Sequence, residues 1–245
     1  MNTDNPFSEK SIEDRLMKGM LWANKPVLIL GLPRSGTSMI TGLLQLSGLW
    51  LGDTVPGGTQ ENMKGFFESK IIREQITKMI LARLGCDPLG VQKLPDLNAL
   101  PDGRGMRNLV LKAISIDKYD GNSRWGYKDA KTSLIWPMWR DAFPAATYII
   151  VERDPEEVVR SCLNTSFMKQ HSTDPDYWRQ FINEYQKRLT ILENSQEMVM
   201  KINSNDIVRG DLTTFKDLVT TLALNYCEAD YAEFVDNNLW HNRNK

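Results

Sequence analysis

Two apolar runs stand out along the chain, and a polar turn follows each of them directly. They are residues 27–30 and residues 147–151, in which Thr147 at the start is the one polar residue. Uninterrupted apolar runs of this length are typical of strands that are buried on both faces, as in a parallel sheet. Helical spacing of apolar residues resumes after each turn, from Met39 and from Val158. The pattern predicts two strand–loop–helix units in an α/β fold with an open parallel sheet.

The rest of the chain alternates between helical periodicity and turn-rich segments. Further helices are predicted at residues 11–23, 69–84, 106–116, 132–143, 177–194 and 214–224. Two further strands are predicted at residues 125–129 and 198–202. Loops are predicted at residues 53–65, 86–103 and 203–210, of which only the first is expected to border a site. Residues 164–176 are polar without periodicity, which favours a possible lid.

The composition is that of an ordinary globular protein. The 245 residues suffice for one core, so a single domain over residues 1–245 is expected, with residues 1–24 as an N-terminal helical extension. Thirty basic and 31 acidic residues give a net charge of −1, which argues against nucleic acid as a partner. No apolar run approaches the ~20 residues that span a bilayer, and no signal sequence is evident, which predicts a cytoplasmic protein. Neither a disulfide framework nor a zinc site is indicated by the three dispersed cysteines, Cys86, Cys162 and Cys227.

The turn after the first apolar run has the form of a phosphate-binding loop. Gly31 and Gly36 bracket it with the spacing of the nucleotide-triphosphate loop, and a helix follows. The amides of residues 35–38 are therefore expected to surround an anion at the positive end of that helix. The triphosphate loop requires a lysine where this chain has Thr37, so a standard ATPase or GTPase is disfavoured. The cation is instead Arg34, whose planar fork can hold a second anionic group.

A second ligand-facing loop is predicted after the other strand. The run 147–151 leads into Arg153, Asp154 and Pro155, and proline suits the first turn of a helix. Because the carboxyl ends of parallel strands share one edge of the sheet, we expect the two loops to meet one ligand from two sides. No Gly-x-Gly-x-x-Gly sequence follows either strand, which removes a dinucleotide-dependent dehydrogenase from consideration.

Three segments together resemble the motifs of the sulfotransferase family. Gly31-Leu32-Pro33-Arg34-Ser35-Gly36-Thr37-Ser38 looks like that family's 5′-phosphosulfate-binding loop. Arg153-Asp154-Pro155, with Ser161 eight residues after Arg153, is similar to its 3′-phosphate-binding segment. Trp125-Gly126-Tyr127-Lys128-Asp129 resembles its Lys-Asp motif, although Ala130 stands where proline is usual. The order and spacing of all three match over about residues 26–163.

The resemblance implies a three-layer, P-loop-like α/β fold with a central parallel sheet flanked by helices. It implies transfer of a sulfuryl group from 3′-phosphoadenosine 5′-phosphosulfate (PAPS), with adenosine 3′,5′-bisphosphate (PAP) as product and no metal. Arg34 and Lys128 would act in catalysis. The implied donor-binding residues are Pro33, Arg34, Ser35, Gly36, Thr37, Ser38, Arg153 and Ser161. Arg34 stands where many cytosolic members have lysine, and the tail lacks their Lys-Gly motif, which places the chain nearer the bacterial and Golgi-type branches.

The general base is open to several assignments. Family members use Glu or His, usually from the segment after the first helix. Glu68 is the first candidate, because the two aromatic residues before it are expected to shield its carboxylate from water. Glu61, Asp53 and His171 are the alternatives.

The acceptor is expected to be a hydroxyl of a carbohydrate, a glycolipid or a small metabolite, since a nearly neutral chain lacks a groove for a long polyanion. Trp50 and Trp178 are predicted either to border the acceptor cleft or to pack in the core. Two other functions are weighed: a divergent P-loop kinase, which gives Arg153 and Ser161 no role, and a non-catalytic module that binds the bisphosphate without turnover. The sequence does not indicate an oligomeric state.

Overall fold

A four-stranded parallel sheet lies at the centre of the protein. The structure is a computed structural model that describes residues 21–57, 62–195 and 198–235. The strands are β1 (Val27–Gly31), β2 (Gly126–Lys128), β3 (Thr147–Glu152) and β4 (Val199–Asn203). Their order across the sheet is β2-β1-β3-β4, with every neighbouring pair parallel. The predicted α/β fold with a central parallel sheet is confirmed.

Helices cover both faces of the sheet. The α-helices are α1 (Thr37–Leu46), α2 (Lys78–Arg83), α3 (Arg104–Ile116), α4 (Trp136–Ala142), α5 (Pro155–Asn164), α6 (Ser166–Lys169), α7 (Pro175–Ser195), α8 (Ser204–Arg209), α9 (Thr213–Thr221) and α10 (Glu228–Phe234). A π-helix over Ile72–Thr77 leads directly into α2. Short 3₁₀ turns occupy Leu97–Ala99 and Ala130–Leu134. None of the helices in the described ranges combines the length and the apolarity needed to cross a membrane.

Strand β1 shows how the sequence produces three layers. All five of its residues are buried, and successive side chains point to opposite faces of the sheet. Leu28 and Leu30 join one core, which α2, α3, α4, α5 and α7 cover. Val27 and Ile29 join the other core, which α1, α8 and α9 cover. A continuous apolar run is required because both faces of the strand are covered.

The strand order creates a switch point between β1 and β3. The chain leaves β1 toward β2 on one side, and β3 then pairs with β1 on the other side. Ligands of open α/β sheets bind outside the carboxyl ends of strands at such a point. The loops after Gly31 and after Glu152 are thereby placed side by side.

Several predicted elements differ from the structure. Residues 203–210, predicted as a loop, contain α8, and the weakly patterned tail contains α10. The predicted lid, 164–176, is not irregular throughout, because it contains α6. Of the predicted helix 11–23, residues 21–23 are helical and residues 11–20 lie outside the described residues.

The two tryptophans considered for the acceptor cleft belong to the core. Trp178 is fully buried, and its indole Nε1 donates to the Ser172 carbonyl oxygen at 3.1 Å. Trp50 packs against Tyr119, with ring centroids 4.9 Å apart. Of the two predicted placements, packing in the core is confirmed for Trp178, and Trp50 is half-buried and packs against the same core.

Candidate active site

A cavity of about 520 Å³ opens at the carboxyl edge of the sheet. Its walls include Arg34 from the loop after β1, Lys128 at the end of β2 and Arg153 from the loop after β3. Strand pairing brings these residues together although up to 119 positions separate them in sequence. Three cations thus face one cavity at the position where the topology predicts a ligand.

The loop after β1 approaches its neighbours too closely for most side chains. A Cβ added to Gly31 would lie 2.6 Å from the Val151 carbonyl oxygen of β3, so only glycine fits where the end of β1 passes between β3 and the loop. Gly36 has φ +92° and Arg34 has φ +71°, both in the left-handed region. The positive φ at Arg34 is unusual for a residue with a side chain, and such backbone conformations cluster at ligand-binding turns.

The start of α1 presents unused backbone donors. The amides of Gly36, Thr37 and Ser38 have no hydrogen-bond acceptor within the described part of the chain. All three residues line the cavity, and the first turn of α1 carries no acidic side chain. A helix N-terminus of this form binds anions through its amides and its dipole.

Ser35 departs from the predicted ring of amides. Its amide already donates to the Leu32 carbonyl oxygen at 3.1 Å, and the residue is fully buried. Ser35 is therefore placed to shape the loop, and the set of available amides begins one residue later, at Gly36.

Hydrogen bonds join the two loops across the switch point. Arg153 Nη1 donates to the Arg34 carbonyl oxygen at 3.1 Å, and Arg34 Nε donates to Ser161 Oγ at 3.2 Å. Arg153 Nε lies 2.9 Å from Glu157 Oε2. Burial lowers the pKa of Arg153, and the Glu157 carboxylate opposes that shift. The two predicted anion sites are one connected structure.

The second loop is fixed by its own helix start. Pro155 occupies the first turn of α5, and the Asp154 carboxylate accepts a hydrogen bond from the Glu157 amide at 3.0 Å. Arg153 immediately precedes this cap, so its backbone position is set by the junction between β3 and α5. Ser161, on the second turn of α5, is buried at the cavity wall.

Lys128 is buried, and three oxygen atoms surround its ammonium group. Nζ lies 3.0 Å from Glu68 Oε1, 3.1 Å from the Phe66 carbonyl oxygen and 3.1 Å from Ser38 Oγ. Only 5% of its side chain is exposed. A lysine held this way keeps a fixed direction toward the cavity, because each ammonium hydrogen has an acceptor.

Glu68 lies between two cations. Its Oε1 faces Lys128, and its Oε2 lies 2.8 Å from Arg73 Nε. The expected shielding by both preceding aromatic rings is wrong for Phe67, whose ring packs instead against Phe234 with centroids 6.1 Å apart. Phe66 contributes its carbonyl oxygen to Lys128. Glu68 is thus part of a charge network at the cavity wall.

A second buried ion pair supports the end of β2. Burial alone would raise the pKa of Asp129, but the Lys131 ammonium 2.8 Å from Oδ1 outweighs it and lowers that pKa. Burial raises the pKa of Tyr127 well above its usual range, so its hydroxyl stays protonated and donates to Asp129 Oδ2 at 2.9 Å. Thr77 Oγ1 lies 3.0 Å from the same hydroxyl. This network fixes Tyr127 and Asp129, the residues on either side of Lys128 in the chain.

The other base candidates are placed differently from Glu68. His171 lines the cavity. Asp53 lies outside the cavity wall and pairs with Lys70 on the surface, at 2.8 Å. Glu61 lies outside the described residues. Glu68 and His171 are therefore the two candidates that the structure brings to the cavity.

Asn62 and Arg73 are among the polar residues of the site that sequence reasoning missed. Asn62 Nδ2 donates to Ser38 Oγ at 3.2 Å, and Arg73 pairs with Glu68 as described above. Asn62 lies in the loop that was predicted to border the site, but nothing in its local sequence distinguishes it. Arg73 lies on the π-helix, where the apolar spacing indicated only a core-facing helix.

The segment after Asn62 is held by the C-terminal helix. The Lys64 ammonium lies 4.7 Å from the centre of the Phe234 ring and donates to main-chain carbonyl oxygens at the end of α10. Phe234 also fills the space beside Gly42 of α1. The carbonyl of Phe66, which Lys128 uses, is therefore supported by a helix far away in sequence.

The hydrogen-bond donors and cations of the cavity suit a ligand with two separate anionic groups. The amide donors and Ser38 come from the start of α1, and Arg153 with Ser161 comes from the junction of β3 with α5 and from α5 itself, all on the lining of one cavity. Cradles of amides and arginine forks are the groups that bind phosphate and sulfate. Among the residues that the structure describes, no group of three or more His, Cys, Asp or Glu side chains is arranged to hold a metal ion.

Comparisons with known proteins agree with this geometry. A search of curated proteins found no match. The solved sulfotransferase domain from the curacin biosynthetic pathway is similar in fold, with a TM-score of 0.55, 14% identity, and coverage of 86% of this chain and 78% of that one. The sulfotransferase domain of the Synechococcus PCC 7002 olefin synthase gives a TM-score of 0.54 and 15% identity, covering 89% of this chain and 83% of that one.

A third solved structure, sulfotransferase STF9 from Mycobacterium avium, gives a TM-score of 0.54 at 13% identity and covers 96% of this chain and 73% of that one. At these identities the likeness is one of fold. The family assignment comes from the family model described as "Sulfotransferase family", which matches residues 26–228 and thus spans β1 to the start of α10. The chain belongs to the sulfotransferase family.

Proposed function

We propose that the protein transfers a sulfuryl group from PAPS to an acceptor hydroxyl. The observation that carries this proposal is the joined pair of loops, in which Arg153 contacts the Arg34 carbonyl and Arg34 contacts Ser161. A nucleotide with anions at both its 5′ and 3′ positions needs two anion sites on one sheet edge. The two loops provide them within one cavity.

The 5′ end of the donor is assigned to the loop after β1. The amides of Gly36, Thr37 and Ser38 and the side chain of Ser38 would bind its phosphosulfate group, with Pro33 forming part of the wall. Arg153 and Ser161 would bind the 3′-phosphate. A buried arginine such as Arg153 has lost much of its hydration, and a bound phosphate would replace it.

When bound, the donor supplies the sulfuryl group together with its leaving phosphate. Catalysis of such a transfer depends mainly on positioning and on fixed positive charge. Arg34 is assigned to the leaving oxygen, and Lys128 to the transferred group. Lys128 suits this role through its positive charge, which its three oxygen contacts hold in a fixed place before any ligand arrives; a direct bond to a sulfuryl oxygen would replace one of those contacts.

Glu68 is the proposed proton acceptor, at Oε1 or Oε2. Lys128 and Arg73 hold its two oxygens in fixed positions at the cavity wall, and each oxygen has a further lone pair for a hydroxyl. His171, which also lines the cavity, is the competing candidate. Replacing each separately distinguishes them: Glu68→Gln is expected to lower kcat about 10²-fold or more, and His171→Ala is expected to leave kcat within a few-fold.

A P-loop kinase is the competing function, and two features disfavour it. Thr37 occupies the position of the phosphate-binding lysine, and Arg153 with Ser161 would have no ligand group to bind. The acceptor class stays as the sequence predicts it, a hydroxyl of a carbohydrate, a glycolipid or a small metabolite.

Label transfer tests the proposal. The protein is incubated with ³⁵S-labelled PAPS and, separately, with γ-³²P-ATP, against the same panel of hydroxyl acceptors. We expect ³⁵S-labelled product from the wild type and from Lys70→Ala, which removes an exposed lysine near the site. Lys128→Ala is expected to lose at least about 10²-fold of the rate. Labelled product from ATP with none from PAPS would refute the assignment.

A further inference from the structure

The cavity has an apolar end that donor binding and catalysis leave unused. We define this end by four large apolar lining side chains, Leu89, Val91, Phe167 and Met168; the other two large apolar residues of the lining, Met39 and Phe66, come from segments that carry donor-binding and catalytic groups. Leu89 and Val91 come from the loop between α2 and α3, and Phe167 and Met168 come from α6. Two separate segments therefore place hydrocarbon side chains on one cavity.

Two of these four side chains are largely exposed and so do not serve mainly to pack the core. Leu89 is 52% exposed and Phe167 is 41% exposed, whereas Val91 and Met168 are buried beside them. Isolated exposed apolar residues are common on protein surfaces, but apolar groups that converge on a concave site are typical of ligand pockets. The exposed area is available to a bound hydrocarbon group.

The loop that carries Leu89 is firmly built. The Asp87 carboxylate accepts hydrogen bonds from the amides of Leu89 and Val91, each at 2.9 Å, and from that of Gln92 at 3.1 Å. The Tyr185 hydroxyl donates to the Gly90 carbonyl oxygen at 2.8 Å from within α7. The loop thus holds Leu89 at the cavity with its own hydrogen bonds satisfied.

The charged groups nearest this end are already compensated. Arg73 pairs with Glu68, and Lys131 pairs with Asp129. Gln170 and His171 are the polar residues that α6 and its continuation add to the wall. Two such side chains are few for a sugar ring, which requires a partner for each hydroxyl, and the four apolar side chains of this end outnumber them.

We infer that the apolar end is an acceptor subsite for a hydrocarbon group, so that the acceptor is an alcohol carrying an aliphatic or aryl substituent. The inference rests on the proposed function and narrows it: among the expected acceptors it selects glycolipids and apolar metabolites over free sugars. The hydroxyl would face Glu68 and Lys128 while the hydrocarbon group covers Leu89 and Phe167.

Two glucosides with the same hydroxyls and different hydrocarbon groups test this subsite. Methyl β-glucoside and hexyl β-glucoside are titrated separately into protein saturated with PAP. Each buried CH₂ strengthens binding about fourfold, so partial burial of the hexyl chain should make that compound bind at least about tenfold more tightly. The measurement is one of binding and needs no turnover.

Paired variants assign the effect to the subsite. Leu89→Ala with Phe167→Ala is expected to reduce the preference for hexyl over methyl to about threefold or less. The matched control is Leu109→Ala with Ile116→Ala on α3, where both side chains are similarly exposed, at 55% and 57%, and neither lines the cavity. The control variant is expected to keep the full preference.

The outcomes separate this inference from the proposed function. If the wild type fails to bind PAP, the proposed function fails. If PAP binds but the two glucosides bind equally, or the hexyl compound does not bind, the apolar subsite is overturned while the donor site stands. A hexyl preference that survives the paired substitution would likewise overturn it.

Discussion

Replacing Glu68 with glutamine tests the charge network at the cavity wall. The substitution keeps the shape of the side chain and removes its charge, which leaves Lys128 and Arg73 without their shared carboxylate. Glu68 and Lys128 have side chains only 10% and 5% exposed, so water replaces the lost partner poorly. Removing one member of a buried ion pair typically costs 3–5 kcal/mol.

The structure places the expected loss near the lower end of that range. Lys128 would still donate to the Phe66 carbonyl and to Ser38, and Arg73 would still pair with Glu74. We therefore expect Glu68→Gln to lower the free energy of unfolding by about 3 kcal/mol. The control is Glu74→Gln, since Glu74 is 46% exposed and pairs with Lys78 at the surface; its loss should stay below about 1 kcal/mol.

Urea unfolding at pH 7, followed by circular dichroism, measures both variants against the wild type. The midpoint of Glu68→Gln should fall while its slope stays constant, which indicates a loss of stability without a change in the surface exposed on unfolding. A double variant with Lys128→Met should recover part of the loss, because the unpaired charge is removed. Equal losses in Glu68→Gln and Glu74→Gln would refute the reasoning.

Two further predictions concern groups whose pKa is shifted. Burial alone would raise the pKa of Asp87, but hydrogen bonds from three loop amides outweigh burial and lower that pKa in the folded protein. The Asp87 carboxylate therefore stabilises the fold fully above about pH 4, and this stabilisation is lost as the pH falls through the pKa of Asp87 in the folded state. Wild type should therefore lose stability more steeply than Asp87→Asn below pH 4, and parallel curves would contradict this. Burial raises the pKa of Cys162 to about 12, and Cys86 is also buried while Cys227 is exposed, so Ellman's reagent at pH 8 should label Cys227 alone rapidly in the folded protein; rapid reaction of a second thiol would contradict the packing.

The sequence predicted best those elements whose pattern has one physical explanation. Strands β1 and β3 are buried on both faces, and no other short element needs an uninterrupted apolar run. The helix α8 was missed for the opposite reason. It has six residues, it begins after Asn203, whose side chain accepts from the Asn205 amide, and it ends at Gly210 with φ +89°. Asparagine, serine and glycine mark helix ends and loops alike.

The residues of the candidate site also fall into those that the sequence predicted and those that it did not. Arg34, Lys128 and Arg153 were found because each lies beside a strand end or in the loop that follows one, and parallel topology brings such positions together. Ser161, within α5, was found only through the family resemblance, by its spacing from Arg153. Arg73 was not found, because its contact with Glu68 depends on how the π-helix is turned toward the sheet. Contacts between side chains on separate elements leave no local pattern in the sequence. The roles of Arg34, Lys128, Arg153 and Ser161 in donor binding and catalysis stay predictions.

The preference of the donor site for a 3′-phosphate is the most direct test of the account. Calorimetric titration compares PAP with adenosine 5′-monophosphate and with ATP, for the wild type, Arg153→Ala and Arg179→Ala. The last is a control, because Arg179 is a surface arginine that pairs with Glu156 of α5. A charge-assisted contact contributes about 1.5–3 kcal/mol, so PAP should bind about 10-fold to 150-fold more tightly than the monophosphate.

That preference should disappear in Arg153→Ala and persist in Arg179→Ala. Wild-type protein that binds PAP and the monophosphate equally, or that binds ATP more tightly than PAP, would contradict the assignment of the two joined loops to one 3′-phosphorylated donor.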